Sequence, residues 1–421
     1  MTARVVRTLL ALTACLLAAA ALGAAEASAA DPACPDSVVA PSAIVIEVST
    51  GEVACARDAD ERRSVASTTK LMTALLALER AELSDVFTAA RYYPPPIESQ
   101  IGLEPGERMA VRDLMRGLLV ESANDAAVTL AEGVAGSRRA FVRAMNRRAA
   151  ELRLENTRYA NPIGLDEQGN FSSARDLVRL AVILRTNRFF RTTVDRPSVN
   201  LISGNRPRRF ANRNTLVNEY RWINGVKSGH TRQAGYVLVG SGRDDSRGIQ
   251  LVSAVLGTPS PATRNAATLA LLRFGFKRFR RLPVVRRGQV LERVPIRYRR
   301  GAELTLVAGR GVLRVVRRGQ RPDVTHRVVG RPDDVSGPIV AGQSFGAVEV
   351  LQDGRVVGRV PLVAASSVPA ADFEQKAKAW FTGPLPILLA FAALAGTFLV
   401  GRQLSRSLRD GRRTGDEPRA A

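Results

Sequence analysis

Val65-Ala66-Ser67-Thr68-Thr69-Lys70-Leu71-Met72-Thr73 opens a run in which Leu71, Leu75 and Leu78 recur on one helical face. A serine therefore stands three residues ahead of a lysine at a helix start, an offset that stacks the two side chains one turn apart. The first turn of a helix also offers unpaired N–H groups and a positive dipole end, which suit an alkoxide and an oxyanion. Nucleophilic Ser67 beside Lys70 as its base is one reading of the pair. A capping serine followed by a surface lysine is the other. Alone, S-x-x-K does not choose between them, since chance places it about once in a few hundred residues.

Lysine usage sharpens the question. The chain holds 57 arginines but only five lysines: Lys70, Lys227, Lys277, Lys376 and Lys378. Arginine cannot give up its proton, whereas a desolvated lysine can, so the rare lysines mark places where titration or ammonium shape matters. Other catalytic classes find little support. There are two histidines, His230 and His326, and no H-E-x-x-H or comparable cluster, so a metal hydrolase is not indicated. No G-x-S-x-G elbow accompanies either histidine, which disfavours a Ser–His–Asp triad. No metal or other cofactor is expected.

Two further clusters join the first. Ser122-Ala123-Asn124 follows the apolar run Leu114–Val120 and offers a hydroxyl and an amide. Lys227-Ser228-Gly229 precedes strand-like text at Tyr236–Gly240 and adds an ammonium, a hydroxyl and a glycine that admits substrate backbone. Each tripeptide is uninformative by itself; the ordered set of three is a strong signal.

Around these clusters the chain reads as a sheet with a helical block between its strands. A hairpin is expected from Ser42–Val48 through Ser49-Thr50-Gly51-Glu52 to Val53-Ala54-Cys55. Helical periodicity runs from Ser67 to about Arg188, strands return at Tyr236–Gly240 and Ile249–Leu256, and a helix follows over Pro261–Phe274. Beyond about Phe276, short alternating segments are spaced by Gly288, Gly301, Gly309, Gly311, Gly319, Gly342 and Gly354, the pattern of a small all-β domain. The expected boundaries are a catalytic α/β (α+β) domain over 30–276, the β domain over 277–365 and a linker or amphipathic stretch over 366–378.

The ends give the compartment. Arg4 and Arg7, an apolar run and Ala27-Ser28-Ala29 make a secretory signal over residues 1–29. From Ala379 to Gly401 no residue is charged, enough for one helical crossing of a bilayer core of ~30 Å. Trp380 and Phe381 flank it, and a basic tail over 402–421 places that end in the cytoplasm. Everything between lies outside the membrane. Secretion excludes nucleic acid as the partner of the +23 net charge. Fifteen basic residues lie between Arg273 and Arg318 against Glu292 and Glu303, suiting anionic lipid headgroups or wall polymers, or serving as a solvated strand face. Cys34 and Cys55 remain after signal removal, either as buried thiols or, as the oxidising compartment favours, as a disulfide.

The flanks of the three clusters carry a resemblance. Ser67-Thr-Thr-Lys70, Ser122-Ala-Asn124 and Lys227-Ser-Gly229 look like the signatures of penicillin-binding serine enzymes. With Asn161-Pro-Ile-Gly-Leu165, Ser172-Ser-Ala-Arg-Asp176 and Gly225-Val-Lys-Ser-Gly-His-Thr231, the stretch from Pro41 to Phe276 resembles the low-molecular-mass D-alanyl-D-alanine carboxypeptidases. The resemblance implies that Ser67 is acylated, that Lys70 is its base and that Ser122 passes a proton to the leaving group. It also implies that Asn124 holds the substrate amide and that Lys227 and Ser228 recognise the terminal carboxylate, with Arg213 and Arg264 nearby. The N–H groups of Ser67 and His230 would form the oxyanion hole. Peptidoglycan stem peptides would be substrates and β-lactams inhibitors. Two positions depart from the pattern: Val65 where the family usually has proline, and Ser228 where it usually has threonine. The other readings are a β-lactamase or endopeptidase on the same fold, and a silent wall-binding protein. No loop glutamate of the class A β-lactamase kind is apparent, and Asp166 is not an obvious substitute.

Overall fold

The computed structural model describes residues 31–319, 323–381 and 384–410, in two compact units that divide at Arg280. The signal expected over 1–29 lies outside the described residues, as does the basic tail past Asp410.

The first unit is built on five antiparallel strands in the order Val53–Arg57, Ser42–Glu47, Ile249–Thr258, Gly235–Asp244 and Ile223–Thr231. Sequence neighbours form hairpins, and the first hairpin joins the later strands through Ser42–Glu47. The strands read as continuous apolar runs because both faces are covered. Ile44, Val237, Val239, Val252, Ala254 and Leu256 face the helical block and share its core with Leu71, Leu75, Leu118, Leu130, Phe141 and Leu177. On the other face lies the helix Pro261–Arg278, packed so closely that a methyl group on Gly275 would come within 2.8 Å of Leu251 and 3.2 Å of Val45. Burying each of these large side chains contributes about 1.5–3 kcal/mol.

The helical block is less uniform than its periodicity implies. A two-stranded ribbon, Val86–Thr88 with Arg108–Ala110, interrupts it, and a second ribbon, Ser198–Leu201 with Arg208–Ala211, follows it. A buried ion pair ties them together, with Arg208 Nη2 2.8 Å from Glu107 Oε2. A charged pair leaves no mark in a hydrophobic pattern, which is why neither ribbon is legible there.

Cys34 and Cys55 are disulfide-bonded, tying the chain's first described residues to the second strand of the hairpin. With a sequence separation of 21 residues, the closed loop stabilises the unit by about 3 kcal/mol on the chain-entropy account.

The second unit carries a five-stranded antiparallel sheet in the order Val290–Pro295, Glu303–Ala308, Arg355–Ala364, Ser344–Gln352 and Val324–Val329. Val294, Leu304, Leu306, Val348, Val350 and Leu362 form its core. Helices Phe373–Phe381 and Pro384–Asp410 follow. Ala379 belongs to the shorter helix. The window Leu388–Ser405 is long and apolar enough to cross a membrane.

Candidate active site

The nucleophile candidate lies on a 3₁₀ turn, Ala66–Thr69, that leads into the helix Lys70–Arg80. Ala66 has φ +47°, a left-handed conformation that non-glycine residues adopt at a cost of about 1–2 kcal/mol. The turn is held from several sides. The Thr68 hydroxyl donates to the Val65 carbonyl at 2.6 Å, and the Thr73 hydroxyl to the Pro162 carbonyl at 2.7 Å. Val65 is buried in the core.

Lys70 is no surface lysine. It is fully buried, and its ammonium donates to Ser67 Oγ at 2.9 Å and to the Ile163 carbonyl at 2.6 Å. Burial pushes its pKa well below the usual lysine range, and the nearby Lys227 pushes the same way. Both effects favour the neutral amine that a general base requires.

The segment Asn161–Leu165 is the floor of this arrangement. Asn161 Oδ1 accepts from the backbone N–H groups of Ile163 and Gly164, at 3.2 and 2.7 Å, and the resulting turn aims the Ile163 carbonyl at Lys70. Gly164, with φ +88°, lies flat against the backbone of Ala66, where any side chain would overlap the Ala66 carbonyl.

Ser122 closes a π-helical turn, Gly117–Glu121, and is itself left-handed with φ +68°. Such irregular turns are common at functional sites. Its hydroxyl accepts from Lys227 Nζ at 2.8 Å, and the same ammonium donates to the Ser228 carbonyl at 2.7 Å. Burial brings the Lys227 pKa down to about 7; Glu121 opposes the fall, while Arg213 and Arg264 add to it.

Lys227 and Gly229 lie on the edge strand of the sheet, opposite Val239 and Val237, and so face the helical block. A side chain on Gly229 would meet the Ser67 backbone nitrogen at 2.9 Å and Ala66 Cβ at 3.0 Å. The glycine expected to admit substrate backbone therefore admits the protein's own nucleophile turn. Ser228 is buried, and His230 is exposed and stacked on Tyr236 with ring centres 4.0 Å apart.

The two arginines differ. Arg213 is paired with Glu121, its side chain still 55 % exposed. Arg264 is buried, its guanidinium donating to Asn265 Oδ1 at 2.9 and 3.0 Å. Both bear electrostatically on Lys227, so the ammonium and the two guanidiniums make one cationic neighbourhood. Asp166 is turned to the end of the same strand, where it accepts from the Thr231 hydroxyl at 2.6 Å and the Gln233 backbone N–H at 3.2 Å. Asn124 has an unforeseen partner: its Nδ2 donates to Glu98 Oε2 at 2.6 Å.

Residues 26–260 match the family model described as D-alanyl-D-alanine carboxypeptidase. The chain belongs to the D-alanyl-D-alanine carboxypeptidase family. Residues 279–370 match the C-terminal domain of penicillin-binding protein 5. The chain is 32 % identical to D-alanyl-D-alanine carboxypeptidase DacF of Bacillus subtilis, over 79 % of this chain and 87 % of that one. It is 30 % identical to D-alanyl-D-alanine carboxypeptidase DacA of Escherichia coli, over 80 % and 85 %. Penicillin-binding protein 5 of Haemophilus influenzae aligns in three dimensions with a TM-score of 0.57 and 27 % identity, over 80 % of this chain and 99 % of that one. This D-alanyl-D-alanine carboxypeptidase is thus a serine-type peptidase on a penicillin-binding fold.

Proposed function

We propose that Ser67 is the acylated residue of this carboxypeptidase and that Lys70 takes its proton. The observation that carries the assignment is the 2.9 Å contact between Ser67 Oγ and the ammonium of a fully buried lysine. Attack on the penultimate D-Ala carbonyl would expel the terminal D-Ala, and water would then release the shortened peptide. Ser122, bonded to Lys227, passes the proton toward the leaving amine. Lys227 and Ser228, with Arg213 and Arg264 beside them, receive the substrate's terminal carboxylate. Asn124 holds the substrate amide, and the backbone N–H groups of Ser67 and His230 bind the oxyanion, each such donor worth ~3–4 kcal/mol. Ser228 keeps the hydroxyl of the usual threonine, so turnover is retained with a changed rate.

In the same reading a signal over 1–29 exports the chain. The apolar helix anchors it with the catalytic unit outside and the basic tail in the cytoplasm. The basic stretch from Arg273 to Arg318 faces an anionic surface of lipid headgroups or wall polymer.

Full-length protein in detergent, treated with a labelled penicillin and digested, should carry the adduct on the peptide containing Ser67. The same preparation should release D-alanine from a muramyl-type pentapeptide. An adduct on any other residue would sink the assignment. An adduct on Ser67 without D-alanine release would move the protein toward endopeptidase or transpeptidase action.

A further inference from the structure

The segment Tyr92-Tyr93-Pro94-Pro95-Pro96-Ile97-Glu98 has no part in the roles assigned to the residues of the site. Three consecutive prolines restrict its backbone before folding, so little freedom is lost in presenting Ile97 and Glu98. Tyr93 and Ile97 are turned out to solvent, 77 % and 94 % exposed, while Glu98 is turned in and partly buried. The turn is closed by the Glu98 N–H donating to the Pro95 carbonyl at 2.9 Å.

Glu98 Oε2 accepts from Asn124 Nδ2 at 2.6 Å and from the Tyr92 hydroxyl. The Asn124 backbone is tied to the same segment, its N–H donating to the Ser99 carbonyl at 2.7 Å. A carboxylate can only accept, so it dictates which end of a carboxamide turns toward it. Nitrogen faces Glu98, with the Tyr92 hydroxyl beside it, and Asn124 Oδ1 is the end left toward a substrate peptide group. Without that partner the two ends of the amide are nearly equivalent, and either can face the substrate.

Glu98 also bears on the base through space. The charged groups around Lys70 are Lys227, which disfavours its protonation, and Glu98 and Asp125, which favour it. Asp125 is committed elsewhere, accepting from the backbone N–H groups of Ile101 and Leu103, at 3.1 and 2.9 Å, and of Ala126 at 2.9 Å. Glu98 is thus the carboxylate that touches a proposed substrate-binding side chain and also acts on the base.

We propose that Glu98 is a positioning residue of this active site, fixing the orientation of the Asn124 carboxamide. The proposal rests on the roles proposed for Ser67, Lys70 and Asn124.

The test compares full-length E98A and E98Q with the parent protein in detergent. Penicillin acylation rates and the kcat and KM for D-alanine release are followed across pH, with thermal unfolding as the folding check. E98A should lower kcat/KM by about 10- to 100-fold, the range for a misplaced substrate-holding group. Glutamine keeps an acceptor for Asn124 Nδ2, so E98Q should restore most of that loss on the pH plateau. Parent-like rates in both variants would overturn the proposal, as would E98Q no better than E98A. If E98A does not fold, E98L takes its place in the comparison with E98Q. A parent protein that takes no penicillin at Ser67 would defeat the underlying assignment instead, whatever the variants do.

Discussion

Arginine in place of Lys70 is expected to slow penicillin acylation and D-alanine release by about 10³-fold or more, within the span that general-base groups supply. In a chain that otherwise prefers arginine so heavily, the substitution would look mild on composition alone. The physics of the position says otherwise. Lys70 is buried, and its proton is held loosely, first because of that burial and then because of Lys227. A guanidinium keeps its proton under all ordinary conditions, so it cannot accept one from the Ser67 hydroxyl. It would also place a larger, permanently charged group between Ser67 and the Ile163 carbonyl, which the amine now spans at 2.9 and 2.6 Å. Lys70→Met separates the causes: it should lose as much activity while unfolding at the same or higher temperature, because it removes a desolvated amine. Stopped-flow or gel-based labelling with a fluorescent penicillin reads the rate. K70R within tenfold of the parent would mean that another group is the base. In the parent, acylation should rise with pH through the Lys70 titration, since the neutral amine is the reactive form. Capture of the substrate carboxylate should weaken as pH passes about 7, where Lys227 in the free enzyme loses its charge.

Gly164→Ala should remove roughly 3–5 kcal/mol of stability, combining a left-handed backbone penalty with an overlap that cannot relax. Its φ of +88° is unfavourable to any side chain, and the added methyl would collide with the Ala66 carbonyl, a backbone atom with no rotamer to escape through. Ala66 itself is left-handed and immediately precedes Ser67, so relief of the clash must come from the nucleophile turn. The variant should therefore lose acylation even in the fraction that stays folded. Gly51→Ala is the control: φ is +74° in the hairpin turn, and a methyl there meets nothing within 4 Å. It should cost only the backbone term, about 1–2 kcal/mol, and leave acylation per folded molecule unchanged. Urea unfolding and active-site titration give both quantities. Equal losses in the two variants would show that the contact with Ala66 carries no weight.

The reacting side chains are legible in the sequence because each is chemically distinctive where it stands. Two of five lysines fall in short clusters with serine, and an order of three clusters is hard to produce by chance. The sheet is equally legible, since strands covered on both faces leave continuous runs such as Ile249–Leu256. What supports the site is not. The Ile163 carbonyl that orients Lys70 is a backbone atom and has no signature of its own. Gly229 is readable as a close approach, but sequence assigns the approach to substrate, and only the packing of strand on turn assigns it to Ser67. Glu98 and the Glu107–Arg208 pair are charged residues in loops and ribbons, where hydrophobic period carries no information. Composition locates the apolar C-terminal segment, yet Ala379 at its start belongs to the shorter helix Phe373–Phe381, which a charge-free run conceals.

The Ser67 turn is held between Gly229 of the edge strand on one side and Gly164 of the floor segment on the other. A nucleophile clamped at the meeting of two layers has no independent loop on which to drift. Chemical competence and cohesion of the domain are then a single cooperative property, and a β-lactam becomes a census of native molecules. Along a heating curve, the capacity to be labelled should vanish together with the circular dichroism of the sheet and helices. Mutations scattered through the layer contact would lower labelling and cohesion together.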